Sequence, residues 1–506
     1  MSRLTLVARV PFPRGIQASA SVTSTRTHHM NARLRPHFAP RIHAWTAIAL
    51  LACIDLAPMA FSARFAPKFL NNSLAANEWQ AAAGSVKITP AEPIWMAGYG
   101  SRNKPAEGLI SDLFAKVLVL RDPQGHQGVV LTLDLVGIDR KFSQSLCARL
   151  EKELSIQRHQ VALCASHTHS GPVVGRNLAP MHYELIPPDQ QQKVDAYAAQ
   201  LEAALVQLVA GTIPKLEPVD LSWDSGTTSF AVNRRNNNEA KVTELRTLGQ
   251  LQGPFDHDVP VLAVRGKDGK LRSVLFGYAC HATVLSLYDW CADYPGFAQA
   301  ELEQLVPGCV ALFWAGCGAD QNPLPRREVD LARKYGRQLA HAVKETLDRP
   351  MHPVSGQLLT QYAEVPIAFD AIPTRDYWVK EADSTTAYVA ARARMMLREL
   401  DAGRAIPTSY PYPVATWRIG WDVQWVVLGG EVVVDYALRL KRERTNTRTW
   451  VAGYSNDVMA YIPSVRVLLE GGYEGSSSQP LYGQPAHWAP SIENTIVREV
   501  HRQLGQ

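Results

Sequence analysis

The sequence predicts a mixed α/β (α+β) fold of layered mixed β-sheets flanked by helices, built as a single large domain. Three observations predict it. Short apolar runs at 129–135, 161–164, 274–279, 309–314 and 425–428 are rich in Val, Leu and aromatics and lack the alternation of half-exposed strands, so they read as strands buried on both faces. Between them, apolar residues recur at helical spacing. With 46% hydrophobic and 20% charged residues in 506, the chain can bury a large core, which excludes a membrane-spanning bundle and a disordered protein.

The first 63 residues are set apart. They hold seven arginines against one acid, Asp55, so the net charge of +5 belongs to this segment and gives no reason to expect a nucleic-acid partner. Basic residues, then the apolar run 45–53, then small residues at 60–63 match the layout of an export signal. Asp55 makes a spanning helix less favourable than a cleaved peptide, and Met30 is an alternative start. The expectation is a leader at 1–63, a linker at 64–84, and one domain over 85–506 in an exported protein, either released or held to the membrane by an uncleaved leader.

Spacing predicts two helices. Val194, Tyr197, Leu201, Leu205 and Leu208 share a face, with Gly211 as the stop, and Leu331, Tyr335, Leu339, Val343 and Leu347 share another. Further helices are expected over 385–400 and 492–504. No internal repeat and no long Gly/Ser or Pro-rich linker is visible. Seven cysteines are too few for a disulfide scaffold; Cys164, Cys280 and Cys309 sit in or beside apolar runs and read as core. Cys317, in a Gly-rich turn, is a weak metal-ligand candidate without a C-x-x-C partner.

The chemistry lies just past the strand ends. SHTHSGP comes after 161–164, CHATVL after 274–279, and AGCGADQNP after 309–314, so polar residues cluster where open α/β sheets place ligands. In extended backbone His167 and His169 point to one side, about 6 to 7 Å apart, as ligands of one ion or as ligand and support; hydrogen-bonded loop histidines are the alternative. His281 offers a third imidazole. Glu431, alone in VVLGGEVVV, needs a cationic partner if buried, either Arg or Lys or a metal. The H-E-x-x-H and G-x-S-x-G motifs are absent, and GCGADQNP lacks the Lys of a phosphate loop.

In series, SHTHSGP, Asn233-Arg234, CHATVL, ADYPG (292–296), GADQNP (318–323), GYSN (453–456) and the pair Tyr461 and Tyr473 with Glu474-Gly475 resemble the neutral/alkaline non-lysosomal ceramidases, in their N-terminal catalytic domain. MAGYGSR at 96–102 is similar to an early segment of the same family. The resemblance implies one Zn²⁺ held by His167, His281, Glu431 and Tyr461, with Tyr454 as the alternative phenol. It implies contact of Tyr473 and Arg234 with substrate or a developing oxyanion, and a supporting or proton-carrying His169. The substrate implied is a small-molecule or lipid amide cleaved by metal-activated water, with peripheral contact to a membrane surface. Alternatives are a ceramidase-like binding protein that has lost catalysis, and an esterase or amidase for a non-lipid substrate.

The chain departs from the family twice. Asn322 stands where the family has a serine that contacts or attacks substrate; an amide cannot be a nucleophile but can donate and accept hydrogen bonds. Longer members also continue into an immunoglobulin-like β domain, which the expectation leaves out here.

Overall fold

The computed structural model describes residues 78–505; the expected leader, and most of the expected linker, lie outside them. The first strand, β1 (Gln80–Lys87), begins within the stretch 64–84, so the sheet reaches back into the expected linker.

The strands that position the site are β1, β2 (Phe114–Arg121), β3 (Gln127–Leu133), β4 (Val161–Ala165), β5 (Glu217–Thr227), β6 (Ala231–Asn233), β7 (Asp258–Gly266), β8 (Leu271–Tyr278), β9 (Val310–Ala315), β10 (Gln321–Pro323), β11 (Leu358–Ala368), β12 (Ser409–Ile419), β13 (Val423–Leu428), β14 (Glu431–Val432), β15 (Arg448–Ala452) and β16 (Tyr461–Ile462). The helices are α1 (Arg140–Leu154), α2 (Pro188–Thr212), α3 (Asp293–Leu305), α4 (Val329–Leu347), α5 (Ala387–Asp401), α6 (Val434–Glu443) and α7 (Ile492–Gln503). The main sheet runs β9-β8-β7-β5-β1-β2-β3-β4, and a second sheet runs β11-β12-β13-β15. Mixed sheets with helices on their faces are the class the sequence predicts.

Side-chain alternation sorts these elements into four layers. Val117, Val119, Val161 and Leu163 pack with α1 and α2, while Phe276, Phe313 and Ala311 pack with α3 and α4. The opposite face, with Leu118, Ala162, Leu275 and Trp314, meets Trp417, Trp425 and Trp450 of the second sheet. The far face of that sheet (Tyr412, Val414, Val426) is covered by α6 and α7. Of the described helices, only α2 and its short extension are long and apolar enough to cross a membrane; Tyr197, Leu201, Leu205 and Val209 instead anchor α2 to the sheet. Its Gly211 does not stop it, because the helix runs on to Thr212.

A repeat invisible in the residues is plain in the topology. Three times the chain makes two antiparallel pairings, then a helix, then a fourth strand parallel to the third, then a closing helix. The sets are β1-β2-β3-α1-β4-α2, β5-β7-β8-α3-β9-α4 and β11-β12-β13-α6-β15-α7. The three fourth strands converge. Beyond β15, Gly453 N donates to Ala315 O (3.0 Å), and Tyr454 O accepts from Ala165 N (3.2 Å), so the GYSN segment ties the ends of β4 and β9 together. This convergence is why polar residues recur past strand ends.

Candidate metal centre

Each unit delivers side chains to one point. His167 and His169 come after β4, His281 after β8, and Glu431 after β13 through the turn Gly429-Gly430. Glu431 and Tyr461 are direct register partners in the parallel pair β14 and β16.

The expected extended backbone between His167 and His169 is not what forms. The strand ends at Ala165, and His167 lies in the left-handed region at φ 62°. This turn folds the two rings together, with Nε2 atoms 3.1 Å apart. Tyr454 and Asn456 also have positive φ, 51° and 64°. Non-glycine residues so held cost about 1–3 kcal/mol each and persist where packing overrides local preference.

The imidazole tautomers are set by geometry. His167 Nδ1 lies 2.6 Å from Val136 O and His281 Nδ1 lies 2.8 Å from Gly318 O. A carbonyl only accepts, so each Nδ1 carries the proton and each Nε2 turns its lone pair inward. Glu431 Oε2 stands 3.3 Å from His167 Nε2 and 3.1 Å from His281 Nε2, and no donor reaches it. The ligating atoms of His167, His169 and His281 all lie within 4.8 Å of one another, in buried surroundings.

Inward-facing imidazole nitrogens around a carboxylate oxygen that lacks a donor fit a shared cation. Burial, then Arg234, push His281 down to about 4, and burial with the neighbouring rings holds His169 well below the usual imidazole value. Burial also opposes a charge on Glu431, yet the facing rings bring its pKa out well below the ordinary carboxylate value. A carboxylate buried among imidazoles is an environment that suits a cation. Nitrogen and carboxylate oxygen donors suit a divalent ion such as Zn²⁺.

The phenols separate by side. Tyr461 Oη is 3.4 Å from the Nε2 edge of His281, whereas Tyr454 Oη is 3.4 Å from its Nδ1 edge, which already serves Gly318. Tyr454 instead packs its ring 4.2 Å from that of His167. His169 lies closer to the centre than a supporting role requires, which makes it a third candidate imidazole ligand. Its Nδ1 is buried without a partner. Cys317 is a core residue among the apolar side chains beneath the second sheet and takes no part.

Arg234 forms the floor of the approach. Its Nε donates to Glu474 (2.7 Å), its Nη1 to Asn322 Oδ1 (3.3 Å) and its Nη2 to Tyr461 Oη (3.1 Å). Burial works against the charge, but Tyr461 and Glu474 hold its pKa above normal. Asn322 is brought there by β10 pairing with β6, where Asn322 faces Val232. Buried Asp320 fixes the corner by accepting from Val434 N and Asn233 Nδ2, both at 3.0 Å. Tyr473 is 44% exposed, its ring 5.2 Å from that of Tyr461, and burial pushes its phenol up to about 12. Over Arg234 opens a cavity of about 550 Å³ lined by Arg234, Arg235, Asn237, Glu239, Asn322, Leu324, Arg326, Glu470, Gly472, Tyr473 and Glu474.

Two supports escape sequence reasoning. Tyr482 hydrogen-bonds to Glu431 Oε1, fixing which oxygen faces the imidazoles; nothing in GSSSQPLYG signals it. Gly98, in the MAGYGSR segment, has φ 95°, and a Cβ there would lie 2.6 Å from His169 Cγ. Tyr99 then packs 4.8 Å from the His169 ring, and Arg102 Nη2 donates to its carbonyl at 2.8 Å. Here the motif was visible but its purpose was not.

Residues 79–310 match the family model described as neutral/alkaline non-lysosomal ceramidase, N-terminal. A crystal structure of neutral ceramidase from Pseudomonas aeruginosa superposes with a TM-score of 0.64, covering 85% of this chain and 75% of that one at 19% identity. The fold is that of the neutral ceramidases. A second ceramidase structure, described as complexed with C2, gives the same TM-score at 19% identity over 84% of this chain and 74% of its own. The ceramidase resemblance carried by the motifs therefore holds, and the fold likeness extends well past the residues that the family model matches.

Proposed function

We propose that the site is that of a zinc-dependent amidohydrolase that splits an N-acyl bond, in the reaction class of ceramide hydrolysis. The observation that carries this reading is the convergence of the His167 and His281 lone pairs and the donor-free Glu431 oxygen beside an open approach. His167, His281 and Glu431 would hold the ion, with Tyr461 or His169 completing the set. Bound Zn²⁺ supplies Lewis acidity toward an amide carbonyl and lowers the pKa of water toward about 7.

The remaining work falls to the chain. Arg234, locked by Glu474, aims guanidinium N–H groups at the space beside Tyr461, where negative charge on a tetrahedral carbonyl oxygen would develop; donors so placed are worth about 3–4 kcal/mol. Tyr473 presents a neutral phenol to the same space. His169, kept neutral by burial, can accept a proton and pass it to a leaving amine. No serine nucleophile is required, so Asn322 is compatible with turnover. The expected leader supports export as part of this reading, and N-terminal sequencing of the mature protein checks it.

Purified protein should contain about one zinc per chain, and His167→Ala should lose both metal and amide cleavage. Full activity in that variant ends the proposal; bound metal with no cleavage of any N-acyl amide favours a binding protein. One observation favours the non-lipid alternative over ceramide itself: most residues lining the cavity are charged or carry amides.

A further inference from the structure

The cavity over Arg234 is walled by ion pairs. Arg235 Nη1 donates to Glu474 (2.6 Å) and Nη2 to Glu470 (3.0 Å), and Arg326 forks both oxygens of Glu239 at 2.9 and 2.8 Å. Leu324 is the one aliphatic residue in the lining. We propose that the substrate carries a short, hydroxyl-rich group on one side of the scissile amide, lodged in this cavity, in place of a second long hydrocarbon chain. The inference rests on the amidohydrolase reading above and names its substrate class.

A hydrocarbon seated here would strip water from guanidinium and carboxylate groups and return no hydrogen bond, while its apolar contacts would be limited to the Tyr473 ring and the stems of the charged side chains. The three arginines of the wall face three glutamates, so the wall attracts neither an anion nor a cation strongly. Such a wall offers fixed donors and fixed acceptors side by side, and a hydroxyl is both at once. Asn322 adds to the set: it lines the cavity, with its Oδ1 engaged by Arg234.

A second cavity near the site is mixed in character. A cavity of about 300 Å³ behind Tyr482, it has charged residues such as Asp139, Arg140 and Asp457 beside Leu178, Val458 and Met459 in its lining. Neither cavity is a long apolar groove, and both volumes suit compact ligands.

The test compares three amides on the zinc-loaded full chain: octanoyl-sphingosine with two chains, octanoyl-glucosamine with a polar amine half, and gluconoyl-octylamine with a polar acyl half. Amine release gives kcat/KM. One polar amide should exceed the two-chain amide at least tenfold, and which one it is assigns the cavity to the amine or the acyl half. Equal or better turnover of octanoyl-sphingosine overturns this inference and leaves the amidohydrolase reading intact. If none of the three is cleaved, the amidohydrolase reading fails; calorimetric binding of the same three compounds then decides the inference, which requires a polar amide to bind at least tenfold more tightly. The double variant Arg326→Leu, Glu239→Leu, with its fold checked by circular dichroism, should cut the polar preference about tenfold. A preference that survives unchanged refutes the assignment of the wall.

Discussion

Replacing Glu431 by glutamine should move stability in opposite directions with and without metal. In the metal-free protein Glu431 Oε2 faces two imidazole acceptors at 3.3 and 3.1 Å with no donor between them. Glutamine keeps the shape, can retain the Tyr482 hydrogen bond, and presents an amide N–H to those lone pairs. Satisfying a buried polar group of this kind is worth about 1–3 kcal/mol, so the metal-free variant should be more stable than the metal-free parent. With zinc the order reverses. An ion at a thousand times its Kd stabilises the folded parent by about 4.1 kcal/mol, and loss of the anionic ligand removes most of that gain. Urea unfolding of parent and variant, each with chelator and with zinc, measures all four states. An equal zinc-induced gain in both proteins, or a metal-free Glu431→Gln less stable than its parent, would show that the carboxylate does not face a cation site.

Other perturbations test the supports. Gly98→Ala places a methyl group against His169 at a backbone φ of 95°; it should cost about 1–3 kcal/mol in thermal unfolding and depress turnover through displacement of His169. Arg234→Lys keeps the charge but loses the fork that joins Glu474, Asn322 and Tyr461. Its kcat should fall by about 10² to 10³ with metal content unchanged. Asp457 has its pKa raised from 3.8 to about 7 by burial, against the hydrogen bond from Tyr410. Between these values the folded state holds the extra proton, so stability falls as pH rises, by about 1.4 kcal/mol per pH unit and on the order of 4 kcal/mol in all. Asp457→Asn should therefore raise the melting temperature by several degrees at pH 8 and by little at pH 4; an equal shift at both would contradict the sign.

The buried strands were legible because β4, β8, β9 and β13 lie under cover on both faces and carry uninterrupted apolar runs. Among the strands that escaped, β2 and β15 are short buried runs, the first broken by Lys116 and the second flanked by Arg448, and others have one open face or contain proline. β11 alternates through Gln361 and Glu364, and β12 contains Pro411 and Pro413, which read as breaks. His167, His169 and His281 could be named because each comes just after a buried strand, and Arg234, Asn322, Tyr461 and Tyr473 through the family resemblance, but their arrangement could not. The left-handed turn at His167 is a tertiary imposition that its residue type opposes. The threefold topology is hidden for a related reason: equivalent strand ends carry His in one unit and Glu in another, so the chain repeats its path and not its residues. Tyr482 was illegible because its role depends wholly on where the chain returns after the turn at 473–477.

Anomalous scattering at the zinc absorption edge, from crystals of the purified protein, would locate the ion itself. One strong peak is expected among His167 Nε2, His281 Nε2 and Glu431 Oε2, at about 2.0 to 2.2 Å from each. An ion elsewhere, or a site filled only by water in protein grown and purified with zinc present, would contradict a metal centre at this convergence.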